Sequence, residues 1–259
     1  MSTARLIANM AGSGISCTGA NILLDTSAGD ALEAGGTCNI AAGLNALGAA
    51  TTGDDNIALG RLALGAGVTT GGVNIAMGFA SSQSLTSGAQ NVSIGRSAMS
   101  GVTTGCNNVA IGCSTLSGGT LVGCENIAIG SATMDALTSG KHNVAIGAAA
   151  LGAATDNHCN IAIGINSLAT SDGDGDNNVA IGNTAMGGAD VSGASNIAIG
   201  TTSMDALTSG ACNIAIGINA LGASTDGCDN IAIGRSALAV SDGDGDHNIA
   251  IGQSAMGAG

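Results

Sequence analysis

The stretch NIAIGRSALAVSDGDGDHNIAIG, residues 230–252, begins and ends with the same five letters. An Asn heads this motif fourteen times, and each of the thirteen intervals is 17 or 18 residues long. A fixed short period predicts a stack of repeated structural units. We call each unit a coil and number its positions from the Asn as 0. The fourteen Asn residues are Asn21, Asn39, Asn56, Asn74, Asn91, Asn108, Asn126, Asn143, Asn160, Asn178, Asn196, Asn213, Asn230 and Asn248.

The pattern inside each coil predicts a strand followed by a sharp bend. Position +1 is Ile or Val in all fourteen copies, position +2 is Ala in twelve, and position +3 is aliphatic throughout. Such alternation is typical of a strand. Gly at +4 in thirteen copies indicates a tight bend or a close backbone approach, and Leu or Met at +8 begins a second inward-facing stretch. We therefore predict an all-β chain, a parallel β-solenoid or β-roll of about fourteen coils.

The two faces of the predicted strand carry different side chains. We expect the aliphatic residues at +1 and +3 to form the core together with the residue at +8. Ala at +2 and the small residues at +7 then face outwards, where columns of Ala and Ser allow another chain to approach closely. Each coil has only a few large aliphatic side chains, and burying them compensates poorly for the conformational entropy lost in ordering its backbone. We accordingly expect chains to associate laterally.

Composition argues against several classes of protein. The chain has 45 Gly, no Pro, Trp or Tyr, one aromatic residue (Phe79) and a net charge of −13. We expect no nucleic-acid partner, because the chain lacks a basic surface. We also expect no enzyme, because no catalytic constellation or phosphate-binding loop is recognisable. Neither a secretory leader nor a membrane-spanning segment is recognisable, so we expect thiols made in a reducing cytosol and no membrane insertion.

The repeat resembles known fibrous proteins. The stretch NIAIGINALGASTDGCDNIAIGRSAL, residues 213–238, is similar to the repeats of bacteriophage tail-fibre shafts and of trimeric autotransporter adhesin heads. The resemblance covers residues 21–259 and implies three parallel β-rolls around a threefold axis, intertwined or side by side. It further implies a partner protein of the virion or tail and a host cell-surface receptor. Residues 1–20, outside the repeat, are the expected attachment or capping segment.

Cysteine and histidine residues cluster just before the Asn. A soft-metal site in this column is one interpretation, but no C-x-x-C pair is present, so we expect small semi-polar residues filling a turn and name no metal ligand. A disulfide between Cys106 and Cys124, which occupy one column on adjacent coils, is geometrically allowed. The other members are Cys38, Cys159, Cys212 and Cys228 with His142, His158 and His247, while Cys17 and Cys113 lie elsewhere.

Two further patterns carry alternative functions. The SDGDGD loops resemble half of a calcium loop, but they lack the bidentate Glu, so we interpret them as solvated loops. Their carboxylates are Asp172, Asp174, Asp176, Asp242, Asp244 and Asp246. Position +12 carries a rank of Thr, which a solvent-facing solenoid could use to bind ice, although Asp172, Asp190 and Asp242 interrupt it. The Thr residues are Thr51, Thr86, Thr103, Thr120, Thr138, Thr155, Thr208 and Thr225.

These observations predict a structural protein without catalytic, cofactor or metal residues. The expected role is a homotrimeric tail-fibre-like or adhesin-like shaft that spaces or attaches partners, in a virion assembled in the host cytoplasm or as an extracellular fibre. Two alternatives remain open. One is a self-assembling head-to-tail filament subunit, and the other is an ice-binding solenoid with a Thr-bearing face.

Overall fold

A computed structural model describes residues 21–32, 36–118, 122–171, 175–239 and 245–257. The predicted attachment segment, residues 1–20, lies outside this part of the chain. The chain is an all-β parallel β-solenoid, as predicted, and it forms two compact units, residues 1–124 and 125–259, each built from the same coil.

One short strand follows the Asn in every coil. The strands of the first unit are β1 (Ile22–Leu23), β2 (Ile40–Ala42), β3 (Ile57–Leu59), β4 (Ile75–Met77), β5 (Val92–Ile94) and β6 (Val109–Ile111). Those of the second are β7 (Ile127–Ile129), β8 (Val144–Ile146), β9 (Ile161–Ile163), β10 (Val179–Ile181), β11 (Ile197–Ile199), β12 (Ile214–Ile216), β13 (Ile231–Ile233) and β14 (Ile249–Ile251). Within each unit every strand pairs in parallel with the next one along the chain, so equivalent positions of successive coils stack in columns.

The strand faces are the reverse of those predicted from the sequence. Ala at +2 is buried in the described coils, with Ala198 and Ala215 both fully inaccessible, whereas the aliphatic residues at +1 and +3 face outwards. The small residues at +7 are also inside, beside Leu or Met at +8. The expectation that +1 and +3 form the core, with +2 and +7 outside, is therefore wrong.

The narrow interior of the roll explains this reversal. In one coil a serine replaces the usual Ala at +2, and the Ser93 hydroxyl lies 2.7 Å from the hydroxyls of Ser81 and Ser82. These two residues occupy +7 and +8 of the preceding coil, so the +2 side chain reaches directly across the roll to its opposite wall. Opposite a wall this close, +2 is Ala or Ser in every coil but the first, where Leu23 lies against Gly29, the residue that replaces Leu or Met at +8. In the other coils Ile has no room inside and points outwards.

The bend at +4 requires glycine for two reasons. The backbone of Gly60 has φ +132°, a conformation that side chains of L-residues rarely adopt. A Cβ on this residue would also lie 2.6 Å from the carbonyl oxygen of Gly78, the equivalent glycine of the next coil. The predicted tight bend and the predicted close approach are both confirmed.

The structure contains the disulfide that the cysteine column allowed, so the expectation of reduced thiols is wrong for this pair. Cys106 and Cys124 are bonded, their Cα atoms 4.7 Å apart and 18 residues apart in sequence. The bond joins two successive coils of the first unit at position −2, two residues before the Asn.

The reversed faces make a direct prediction about packing. Replacing Ala215 by Ile should destabilise the folded chain by about 1–3 kcal/mol or more, because the added methylenes cannot fit inside the roll. The same replacement at Ala223, an exposed alanine of the same coil, should change stability by less than about 0.5 kcal/mol. Guanidinium unfolding of the two variants measures the difference, and equal midpoints would mean that +2 is not enclosed.

Candidate functional site

The Asn column is a structural ladder. Asn213 donates through Nδ2 to the Asn196 side-chain oxygen (3.1 Å) and to the Gly227 carbonyl at the end of its own coil (2.7 Å). The same Asn196 oxygen accepts the backbone N–H of Asn213 (3.0 Å), and both side chains are fully buried. Each Asn thus closes its own coil and joins it to the preceding one. This arrangement is a hydrogen-bonded ladder, and it leaves these amides engaged inside the fold.

Within each unit the outward residues at +1 and +3 form a continuous surface, which we call the apolar face. Ile127, Ile161 and Ile216 are each 37–39% exposed, and the residues at the other +1 and +3 positions are partly or fully exposed. None of these 28 positions carries a charged or polar side chain. Across the eight strands of the second unit, at about 50 Å² a residue, the face offers on the order of 800 Å², more than the largest apolar patch of a typical monomer.

Two columns of exposed side chains border the apolar face, and they carry opposite charge. We call position −1 the acidic edge, where Asp55, Glu125 and Asp229 lie, and position +5 the basic edge. The three arginines of the described residues, Arg61, Arg96 and Arg235, are all on the basic edge.

The basic edge also holds the only aromatic side chain. The Arg61 guanidinium carbon lies 4.6 Å from the centre of the Phe79 ring, a cation–π contact between adjacent coils. Arg96 donates through Nη2 to Cys113 Sγ at 3.1 Å. The pKa of the Cys113 thiol lies below its usual range because of the hydrogen bond from Ser114 and the contact with Arg96. A role for this column was not predicted, although within the repeat the sequence carries arginine at position +5 alone.

The histidines of the cysteine column bind neighbouring residues. His142 Nδ1 lies 2.8 Å from Glu125 Oε2, and His158 Nδ1 accepts the backbone N–H of Lys141 at 3.0 Å. His247 Nε2 lies 3.6 Å from Asp229 Oδ2. Both His–carboxylate pairs are more than half exposed, so each contributes at most about 1 kcal/mol. Within the described ranges no three His, Cys, Asp or Glu side chains are grouped to hold a metal ion, and Cys17 lies outside those ranges.

The last carboxylate of each SDGDGD loop caps a backbone group. Asp176 Oδ1 accepts the N–H of His158 at 2.6 Å, and Asp246 Oδ1 accepts that of Cys228 at 2.7 Å. Each bond runs from one coil to the preceding one. Asp172, Asp174, Asp242 and Asp244 lie outside the described residues.

Several Thr hydroxyls of the +12 rank bond to the next coil. Thr86 donates to the Thr103 carbonyl at 2.9 Å, and Thr138 donates to that of Thr155 at 2.9 Å. Thr208 donates to the Thr225 carbonyl at 2.8 Å. These hydroxyls already donate hydrogen bonds to the next coil, which leaves fewer hydrogen-bond donors for binding ice. Thr120 lies outside the described residues.

Comparison of the chain with protein-family models, with curated proteins and with solved structures finds no match. Over the part of the chain that the structure describes, no helix is long and apolar enough to span a bilayer.

Removing one member of the Asn ladder should be costly. Asn143 accepts the N–H of Asn160 (2.9 Å) and donates to the Asn126 side chain (3.1 Å) and the Asn157 carbonyl (2.7 Å), all in buried surroundings. Asn143→Ala should lower the free energy of unfolding by about 2–4 kcal/mol, because these partners lose their bonds. Asn183→Ala, at an exposed position, should cost less than about 1 kcal/mol. Urea unfolding compares the two, and equal losses would refute the ladder's role.

The carboxyl group of Asp205 should make stability depend on pH. Burial raises its pKa, opposed by a hydrogen bond from the Gly188 backbone, and its Oδ1 has no partner among the described residues. Because the folded chain holds this proton more tightly than the unfolded chain does, the ionised form weakens the fold above the raised pKa, and the penalty disappears on acidification.

Asp205→Asn should therefore raise the unfolding temperature at pH 7 but not near pH 3, where the wild-type carboxyl is also neutral. Asp226→Asn, at an exposed site, is the control and should shift neither value. Thermal unfolding at the two pH values checks this, and a stabilisation that persists unchanged at pH 3 would contradict the burial argument.

Proposed function

We propose that this protein is a structural, fibre-forming module whose chains associate through their apolar faces. The observation that carries the proposal is the uncharged Ile/Val/Leu/Met surface at +1 and +3. Its estimated area in the second unit alone is about the 800 Å² that each partner contributes to a standard protein interface. A surface of this size left in water would promote uncontrolled aggregation, whereas association with a second copy buries it.

The proposed assembly is a parallel homotrimer that resembles a phage tail-fibre shaft or a trimeric adhesin head. The number three follows from the resemblance of the repeat. The apolar face supports association without specifying a number of chains. Its function would be mechanical, to space or attach partners, since hydrogen-bonded ladders join successive coils within each unit. Three chains, each of net charge −13, would repel other assemblies and remain dispersed.

The partners and location in this proposal come from the resemblance alone. They are a virion or tail protein bound through residues 1–20, a host cell-surface receptor, and a place in a virion or an extracellular fibre. The proposal includes no catalytic step and no cofactor.

The test is the mass in solution, by light scattering on a sizing column, with calcium and then with chelator. We expect three times the chain mass of 24.3 kDa in both conditions. A stable monomer would refute the proposal, a mass far above three chains would favour the head-to-tail filament, and a chelator-dependent mass would restore calcium to the account.

A pair of variants ties the assembly to the face. Ile94→Lys places a charge on the apolar face and should dissociate the assembly, because burying an unpaired ammonium is strongly unfavourable. Val68→Lys makes the same kind of change at an exposed residue at +12, off the face, and should leave the mass unchanged. Dissociation by both variants, or by neither, would show that the apolar face is not the contact.

A further inference from the structure

Charge is segregated across the apolar face in both units. The basic edge contains no Asp or Glu in any coil, and the acidic edge contains no Lys or Arg. In two coils a charged residue stands on both edges. The coil of Asn56 has Asp55 and Arg61, and the coil of Asn230 has Asp229 and Arg235.

These opposite charges cannot meet within their own chain. The strand lies between them, and six residues at about 3.3 Å each separate the two columns by up to ~20 Å. All four side chains are exposed, and neither Arg61 nor Arg235 forms an ion pair with another described residue. Asp229 Oδ2 lies 3.6 Å from Nε2 of His247, which also stands at −1, and this pair is more than half exposed. Each unit therefore contains one coil that presents an arginine and a carboxylate on opposite borders of a surface that is itself uncharged.

Symmetry determines which borders meet when two copies bury this surface. If the rotation axis is parallel to the direction in which coils stack, the basic edge of one copy faces the acidic edge of its neighbour. Equivalent coils of the two copies then lie at the same height along the axis. The −1 position of one copy and the +5 position of the other differ in height by only ~2 Å. In an antiparallel pair, with the axis along the strands, like edges meet instead, and the acidic edges would repel.

We propose that chains associate in parallel, with cyclic symmetry, through an ion pair between Arg61 of one copy and Asp55 of the next and another between Arg235 and Asp229. The partner is thus a second copy of this chain, and the inference rests on the proposed function. These pairs also select the axial register. An almost uniformly aliphatic face packs nearly as well after a slip of one coil, but such a slip separates the charges.

A charge exchange tests the pairing. Arg61→Asp and Asp55→Arg, made singly, each place like charges together at every contact of the ring. Each should raise the concentration of half-dissociation, measured by light scattering on dilution, by about tenfold or more. The double variant restores opposite charges and should return within about threefold of wild type.

The control is Arg96→Asp, because the residue at −1 of that coil is Gln90 and offers no carboxylate. It should stay within about threefold of wild type. Arg61→Asp alone and the double variant both lose the contact with Phe79. The difference between these two variants therefore measures the charge pair alone. The Arg235/Asp229 exchange repeats the test in the second unit.

The outcomes separate this inference from the proposed function. A wild-type chain that is monomeric at all concentrations overturns the proposed function and the pairing with it. A wild-type assembly in which Arg61→Asp behaves like Arg96→Asp, or in which the double variant is no better than the single ones, overturns the edge pairing alone. Circular dichroism of each variant confirms that the chain is folded.

Discussion

The width of the roll is the constraint on which the rest of the structure depends. Because the wall at +7 and +8 contacts the strand, as the Ser81, Ser82 and Ser93 hydroxyls demonstrate, +2 is Ala or Ser wherever +8 carries a side chain. The one larger residue at +2, Leu23, faces Gly29 at +8. Large aliphatic residues of the same strand are consequently placed outside. The buried Asn ladder compensates for this small core by satisfying the backbone at the start and the end of each coil.

A single chain built this way leaves a hydrophobic surface exposed to solvent. In an ordinary β-sheet protein the strand buries its larger residues, whereas here the larger residues form a surface that only another molecule can cover. In the proposed assembly this face would couple folding to association. Its two borders carry carboxylates at −1 and arginines at +5, which a parallel neighbour would bring together.

The sequence predicted the repeat, the strands and the Gly bend, and it allowed the Cys106–Cys124 bond without requiring it. It did not determine which face is inside, because alternation separates two faces without identifying the buried one. The more hydrophobic face was expected inside, but in so thin a roll the face with the smaller side chains is the buried one. One signal was available, since Ser81, Ser82 and Ser93 replace the usual residues together in adjacent coils and so indicate contact between +2 and the opposite wall. The roles of Asp176 and Asp246 as backbone caps depend on stacking geometry that no single coil reveals.

Isotope-filtered methyl NMR on an assembly of labelled and unlabelled chains tests the central claim most directly, because it detects contacts between chains at identified methyl groups. The account predicts intermolecular contacts from the Ile methyls at +1 and +3, such as Ile214 and Ile216, and none from the Ala methyls at +2, such as Ala215. Intermolecular contacts from the Ala215 methyl, with the Ile methyls meeting only their own chain, would contradict it.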